Sequence, residues 1–250
     1  MEATATQIAD AFADLCALQP ISMDDEGLVC APRCAPELAA PTLARCLLPV
    51  RALDHVPAWP DPPAMMVAGW YRRSPTHLPA PQGIRELVQA PGESFGPGGH
   101  ATTTMCLEHL ERLPACPALD VGCGSGLLAQ AWVALGRGDV LACDLDPHAI
   151  DQTKRSLIAA GLADRVTLFQ GPIGTLEDEE LSKKILLANI PLPAHQSLLS
   201  RIGAPPRAVV LSGLRPRQAS AVVDAYRALG LNTLSWREQG GFAGICMARR

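Results

Sequence analysis

The sequence predicts an α/β protein: a seven-stranded, mostly parallel Rossmann-like sheet behind a small irregular N-terminal domain. Three observations predict it. From about residue 84, short apolar runs alternate with helix-length segments, the repeat that builds a parallel sheet covered on both faces. A glycine turn, GCGSG at 122–126, follows the first of those runs and opens a helix. Before residue 84, proline is dense enough to disfavour long helices and continuous sheet. Residues 1–83 are therefore assigned to a small domain or arm with its linker, and 84–250 to the α/β domain.

Taken in order, ATQIADAFADLCAL and PELAAPTLARCLL read as two amphipathic helices of the N-terminal part. The strands are ALDVG, DVLACD, RVTLFQ, KILLANI, RAVVLS, NTLSW and AGICMA. The helices are TTTMCLEHLERL, LLAQAWVALG, PHAIDQTKRSLIAAG, PAHQSLLSRIG and RQASAVVDAYRALG. Asp146 before Pro147 is an N-cap with proline at the first helical position, and Gly161 is the matching stop. No helix separates the last two strands, so one of them runs antiparallel to its neighbours.

Composition narrows the function classes. The 250 residues are 48% hydrophobic and 18% charged with net charge −4, enough apolar content for a real core. No Lys/Arg run exceeds two residues, which argues against nucleic acid as the main partner. No apolar run approaches the roughly 18–20 residues of a membrane span, and the acidic start MEATATQIADAF does not read as a signal peptide; the expected location is the cytoplasm. Nine cysteines form no paired C-x-x-C set and read as reduced core thiols, including Cys30 and Cys34 in CAPRC. No metal site is expected.

The chemistry centres on ALDVGCGSGLL. Asp120 ends a strand, and Gly122, Gly124 and Gly126 let the backbone turn tightly against a ligand. Leu127 stands where a dinucleotide fingerprint has its last glycine, so the loop does not fit a pyrophosphate. One β-α-β step later, Asp144 in CDLDP is placed to accept both hydroxyls of a ribose. A nucleoside without a pyrophosphate fits, and S-adenosylmethionine (SAM) is such a ligand, with Asp120 near its cationic end. The bland alternative is two solvating strand-end acids and an ordinary turn.

SFGPGGHATTTMCLEHLE, ALDVGCGSGLLA, ACDLDPHAI, LANI and LSGLRPRQ, in this order, resemble the ribosomal protein L11 methyltransferase family of class I SAM-dependent methyltransferases. The resemblance covers residues 84–250 and implies a Rossmann-like class I methyltransferase sheet. It implies cofactor contacts at Thr103, Gly122, Asp144 and Asn189, and a segment from Phe95 to Thr104 lying over bound cofactor. Gly124, Asp120 and Phe95 join that set. Thr102 or Thr103 also suits capping of the helix that follows.

Asn189, in LLANIPLP, comes at the carboxyl edge of the fourth strand, where it can accept a hydrogen from an acceptor nitrogen; Ile190 and Pro191 adjoin it as acceptor-site residues. Its alternative is a strand-end turn residue. NIPLP lacks the aromatic of N-P-P-Y methyltransferases, which favours an aliphatic amine over a planar acceptor. His100 is the second catalytic candidate, first as an ordering residue and then as a proton acceptor. His55, His77, His109, His148 and His195 read as surface or capping residues. Trp70 and Tyr71 suit either an acceptor cleft or aromatic packing.

The family's N-terminal domain is a compact α+β module that docks the ribosomal protein, whereas residues 1–80 show no such alternation. The expected acceptor is therefore a protein or peptide amine without a named target. A small-molecule methyltransferase and a non-catalytic SAM-binding protein are the competing readings. The sequence leaves the oligomeric state open.

Overall fold

The computed structural model describes residues 19–24, 27–31, 63–92, 99–172 and 178–249. The chain divides into two compact units, Met1–Ala58 and Trp59–Arg250. In the first, β1 (Gln19–Asp24) and β2 (Gly27–Ala31) pair as an antiparallel hairpin. The two helices expected over 5–18 and 36–48 lie outside the described residues, as do Cys16, Cys34, Cys46, His55 and Phe95.

The second unit opens with a small sheet that proline density argued against. β3 (Met65–Val67) pairs antiparallel with β4 (Trp70–Arg73), and β4 pairs in parallel with β5 (Glu86–Val88). Strands of three and four residues fit between prolines, and Pro75, Pro79 and Pro81 all fall in the connection from β4 to β5. That connection is held at its mouth. The Arg73 guanidinium donates from Nε and Nη2 to the two Glu86 oxygens at 2.9 and 2.8 Å, and Ala80 N donates to Glu86 Oε2 at 2.9 Å. The expected boundary at residue 83 thus falls inside this unit, between two paired strands.

The rest alternates as the sequence predicts. α1 (Ala101–Leu110) is followed by β6 (Ala118–Val121), α2 (Leu127–Ala134), β7 (Val140–Asp144) and α3 (Pro147–Ala159). Then come β8 (Val166–Gln170), the short α4 (Asp178–Ser182), β9 (Ile185–Asn189) and α5 (Leu192–Leu199). β10 (Ala208–Leu214), α6 (Pro216–Ala228), β11 (Asn232–Gln239) and β12 (Phe242–Ala248) complete the fold. The sheet order is β11-β12-β10-β9-β6-β7-β8. β6 to β10 are mutually parallel, and β12 is the antiparallel strand between β10 and β11.

Side chains alternate across this sheet, so both faces are buried and each carries its own cluster. Ile185, Leu187, Val210 and Cys246 face one cluster with Trp132 of α2 and Leu107 of α1. Leu119, Leu186, Val209 and Ile245 face the other, with Val222 and Tyr226 of α6. Cys106, Cys116, Cys123, Cys143 and Cys246 are buried free thiols. Trp70 is a core residue of the first cluster with the Arg85 guanidinium 5.4 Å from its ring, which settles it as packing.

The segment after β5 is pinned by buried polar side chains. Gln130 of α2 acts as a substitute strand neighbour: Val88 N donates to its Oε1 at 3.0 Å, and its Nε2 donates to Val88 O at 2.8 Å. Gln152 Nε2 donates to Ala90 O at 2.7 Å, and Ala90 N donates to Ser156 Oγ at 2.9 Å. Gln130 is 1% exposed, so its loss strands two buried backbone groups. Gln130→Met, which fills the volume without the bonds, is expected to lower stability by roughly 2–5 kcal/mol. Urea denaturation measures this; a shift under about 0.5 kcal/mol, as at an ordinary surface position, contradicts it.

Candidate active site

β6 is flanked by β7 on one side and β9 on the other: the chain runs outward through β7 and β8, then crosses back to β9 and continues the other way. Open α/β sheets bind ligands at such a switch point, outside the strand carboxyl ends. The carboxyl ends of β6, β7 and β9 carry the predicted acids, the glycine loop and Asn189.

The loop's backbone requires glycine. Gly122, Gly124 and Gly126 have φ of 67°, 55° and 80°, the left-handed region that costs other residues about 1–2 kcal/mol. A β-carbon on Gly122 would collide with Ile190 Cγ2, and one on Gly126 would sit 2.7 Å from Thr153 Cγ2. The loop is then tied down on both sides. Gly122 N and Cys123 N donate to Cys143 O, and Thr153 Oγ1 donates to Gly124 O at 2.8 Å.

Asp144 ends β7 with its carboxylate against this loop. Gly124 N donates to Oδ2 at 2.9 Å and Asp146 N to Oδ1 at 3.0 Å. Each oxygen keeps a further acceptor site, so two ribose hydroxyls still fit. Asp120 is deeper, 1% exposed, and accepts from Ala129 N in the first turn of α2 at 3.1 Å. Its immediate work is to fix that helix to the loop. Burial pushes its carboxyl up to about 7, with Asp144 adding to the shift and the Ala129 amide opposing it.

On the other side of the switch point, α1 is capped by His100 and not by Thr102 or Thr103. Thr102 N donates to His100 Nδ1 at 3.4 Å, and Nδ1 lies 2.8 Å from Thr102 Oγ1. The ring packs edge-on against Phe242, with centroids 5.1 Å apart, and the Arg215 guanidinium lies 4.5 Å from the same phenyl. Burial, aided by Arg215, holds its pKa below the usual histidine value. The ring thus caps α1 and packs against β12.

Thr103, one residue into the same turn, meets Asn189, whose Nδ2 donates to Thr103 Oγ1 at a long 3.5 Å. Asn189 Oδ1 is buried with no hydrogen-bond partner. An orphaned amide oxygen at the carboxyl edge of β9 is an acceptor in want of an N–H or O–H.

Ile190 and Pro191 divide. The Ile190 side chain is 6% exposed and turned into the core against Gly122, so it lines no cleft; Pro191 is exposed and caps α5. Two of the histidines expected at the surface, His109 and His195, are fully buried. Their helices present them to the sheet, where the flanking polar residues LEHLER and PAHQS suggested solvent. Thr153, Gly213 and His195 were missed as site-shaping residues. LSGL carried the signal for Gly213, since φ there is 84° and any β-carbon would strike the Ile190 carbonyl. Among the described residues no group of His, Cys, Asp and Glu is arranged to hold a metal ion.

The family profile for ribosomal protein L11 methyltransferase (PrmA) matches residues 75–250. The chain belongs to the ribosomal protein L11 methyltransferase family. It is 36% identical over 162 residues to a ribosomal protein L11 methyltransferase of Aliivibrio salmonicida, covering 63% of this chain and 54% of that protein. A second, from Bordetella parapertussis, is 36% identical over 195 residues, covering 73% and 59%. The chain therefore spans little more than half the length of these relatives. The crystal structure of a ribosomal protein L11 methylase from Lactobacillus delbrueckii subsp. bulgaricus superposes with TM-score 0.60 at 22% identity, covering 73% of this chain and 95% of that one. The shared fold is the class I methyltransferase sheet.

Asp120 gives this family site a pH signature. Its pKa rises on folding from the 3.8 of a free carboxyl to about 7, so the folded state holds a proton that the unfolded chain has lost. Stability from this group is therefore lost as pH rises through that interval. Relative to wild type, Asp120→Asn is expected to gain stability steadily from about pH 4 to 7 and to level off above. Urea midpoints across that range test it; parallel profiles contradict it.

Proposed function

We propose that this chain is a SAM-dependent methyltransferase acting on an amine nitrogen of a protein or peptide. The observation that carries the reading is the orphaned, buried Asn189 Oδ1 beside Thr103, across the switch point from a glycine loop held by Asp144. The residues fit the cofactor. Glycines 122 and 124 turn the loop sharply at the carboxyl end of β6, Asp144 retains acceptor capacity for two hydroxyls, and Asp120 offers a carboxyl to a cation.

Bound SAM supplies a methyl group on an already activated sulfonium leaving group. The chain's task is therefore orientation and exclusion of water. Asn189 Oδ1 accepts an N–H and so directs the nitrogen lone pair. The amine must arrive neutral, although a free lysine-type amine has pKa near 10.4, so desolvation at the site has to favour the uncharged form. An approaching cation favours ionised Asp120, so SAM binding near neutral pH is expected to release a proton. Titration calorimetry in buffers of different ionisation enthalpy reads that release; identical heats contradict it.

The relatives named as ribosomal protein L11 methyltransferases support a protein acceptor, yet the family match begins at residue 75 and leaves the preceding region outside it. The ribosomal target is accordingly not assigned. Buried free cysteines fit a reducing compartment, which supports a cytoplasmic location. Among the described residues no helix is long and apolar enough to cross a membrane.

Incubation with labelled SAM and a lysate, separated into macromolecules and metabolites, tests the acceptor class. Label in protein is the expected result; label only in metabolites makes the small-molecule reading correct, and no label with intact SAM affinity makes the protein a binder. Asp144→Ala is expected to weaken SAM binding at least about tenfold, and equal affinity removes the ribose assignment. Asn189→Ala is expected to lower turnover by about 100-fold while SAM still binds, and unchanged turnover refutes its role.

A further inference from the structure

His195 is buried completely, one turn into α5, on the side of the helix that faces the end of β10. Its Nε2 lies 3.0 Å from Ser212 O. A carbonyl only accepts, so Nε2 carries the proton and donates. The same Ser212 carbonyl also receives Ile190 N at 3.2 Å, just where the chain leaves β9 after Asn189. One oxygen thus ties α5 and the Asn189–Pro191 turn to one point on β10.

That point is itself fixed. Ser212 Oγ donates to Ala243 O at 2.8 Å, and the register between β10 and β12 shifts across Leu211 and Leu214. Gly213, at φ 84°, brings its α-carbon against the Ile190 backbone with no room for a side chain. The Ile190 side chain meanwhile abuts Gly122 of the cofactor loop. His195 N and Ala194 N both donate to Pro191 O, closing the turn from the helix side. Burial outweighs the backbone of Ser212 and Ile190 and pushes the ring pKa down to about 4, so the imidazole is neutral with Nδ1 bare.

Resting on the methyltransferase reading above, we infer that His195 is a positioning residue for methyl transfer, holding Asn189 and Ile190 in register with the glycine loop through Ser212 O. It does not touch the reacting atoms. Its effect falls on the placement of the Asn189 amide, where a displacement of about 1 Å lowers turnover by up to about 100-fold. The proposed ribose contact rests on Asp144 at the end of β7, whereas the hydrogen bond of the His195 ring goes to β10.

The test compares His195→Leu, which fills the space without a donor, with His195→Gln, whose amide restores one at nearly the position of Nε2. SAM affinity is measured by calorimetry and turnover by transfer of label into acceptor. The leucine variant is expected to bind SAM within about twofold of wild type and to turn over about 10- to 100-fold more slowly, with KM for SAM unchanged. The glutamine variant is expected to recover most of the lost turnover. Should the leucine variant not fold, His195→Asn, whose donor falls short of Ser212 O, takes its place with the same expectation. Wild-type turnover in the donorless variant, parallel loss of SAM binding, or no recovery with glutamine overturns the inference. A wild-type protein that binds SAM but transfers no label overturns the parent reading and this inference with it.

Discussion

One packing contact sets the geometry of the whole site: Ile190 Cγ2 occupies the space that a β-carbon on Gly122 would need. The first residue of the glycine loop and the residue after Asn189 can approach only because one of them has no side chain. The contact explains why a glycine is required there twice over, once for φ and once for space. It also fixes the placement of Asn189 relative to the glycine loop, which is what the proposed reaction requires.

Around that contact, buried polar groups do the fixing. Asp120 joins the glycine loop to α2, Thr153 joins it to α3, and Asp144 joins it to the turn after β7. Gln130, Gln152 and Ser156 fasten Val88 and Ala90 to α2 and α3. Such networks are expensive to leave half made, because each buried donor or acceptor without a partner loses its hydration for nothing. Asn189 Oδ1 is left without one at the carboxyl edge of β9, beside the switch point. Buried polar atoms elsewhere also lack partners, Tyr226 Oη of α6 and Arg72 Nη1 of β4 among them. Position, together with orphaning, is what singles out Asn189.

Much of this was legible in the sequence. Strands buried on both faces read as continuous apolar runs, and KILLANI and RAVVLS stand out for that reason. Positive-φ turns can be read from glycine spacing, and Asp144 from its place one β-α-β step later. What failed to show depends on three-dimensional neighbours. β3 to β5 are too short for periodicity to register between prolines. His109 and His195 sit among polar helix residues, so nothing local distinguishes a ring facing the sheet from one facing water. Asp120 read as a ligand contact, and its bond to Ala129 N emerges only when α2 is folded back over β6. Ile190 read as an acceptor-site residue because it follows Asn189, yet strand alternation turns its side chain to the core and leaves only its backbone for that purpose.

The most direct measurement is a crystal structure of the protein with S-adenosylhomocysteine, the demethylated cofactor. The account predicts both ribose hydroxyls on the Asp144 carboxylate, the sulfur beside the glycine loop, and Asn189 Oδ1 facing the open methyl position with Ile190 still seated on Gly122. A nucleoside bound away from Asp144, or a glycine loop filled by packed side chains with Asn189 remote from the sulfur, would contradict it.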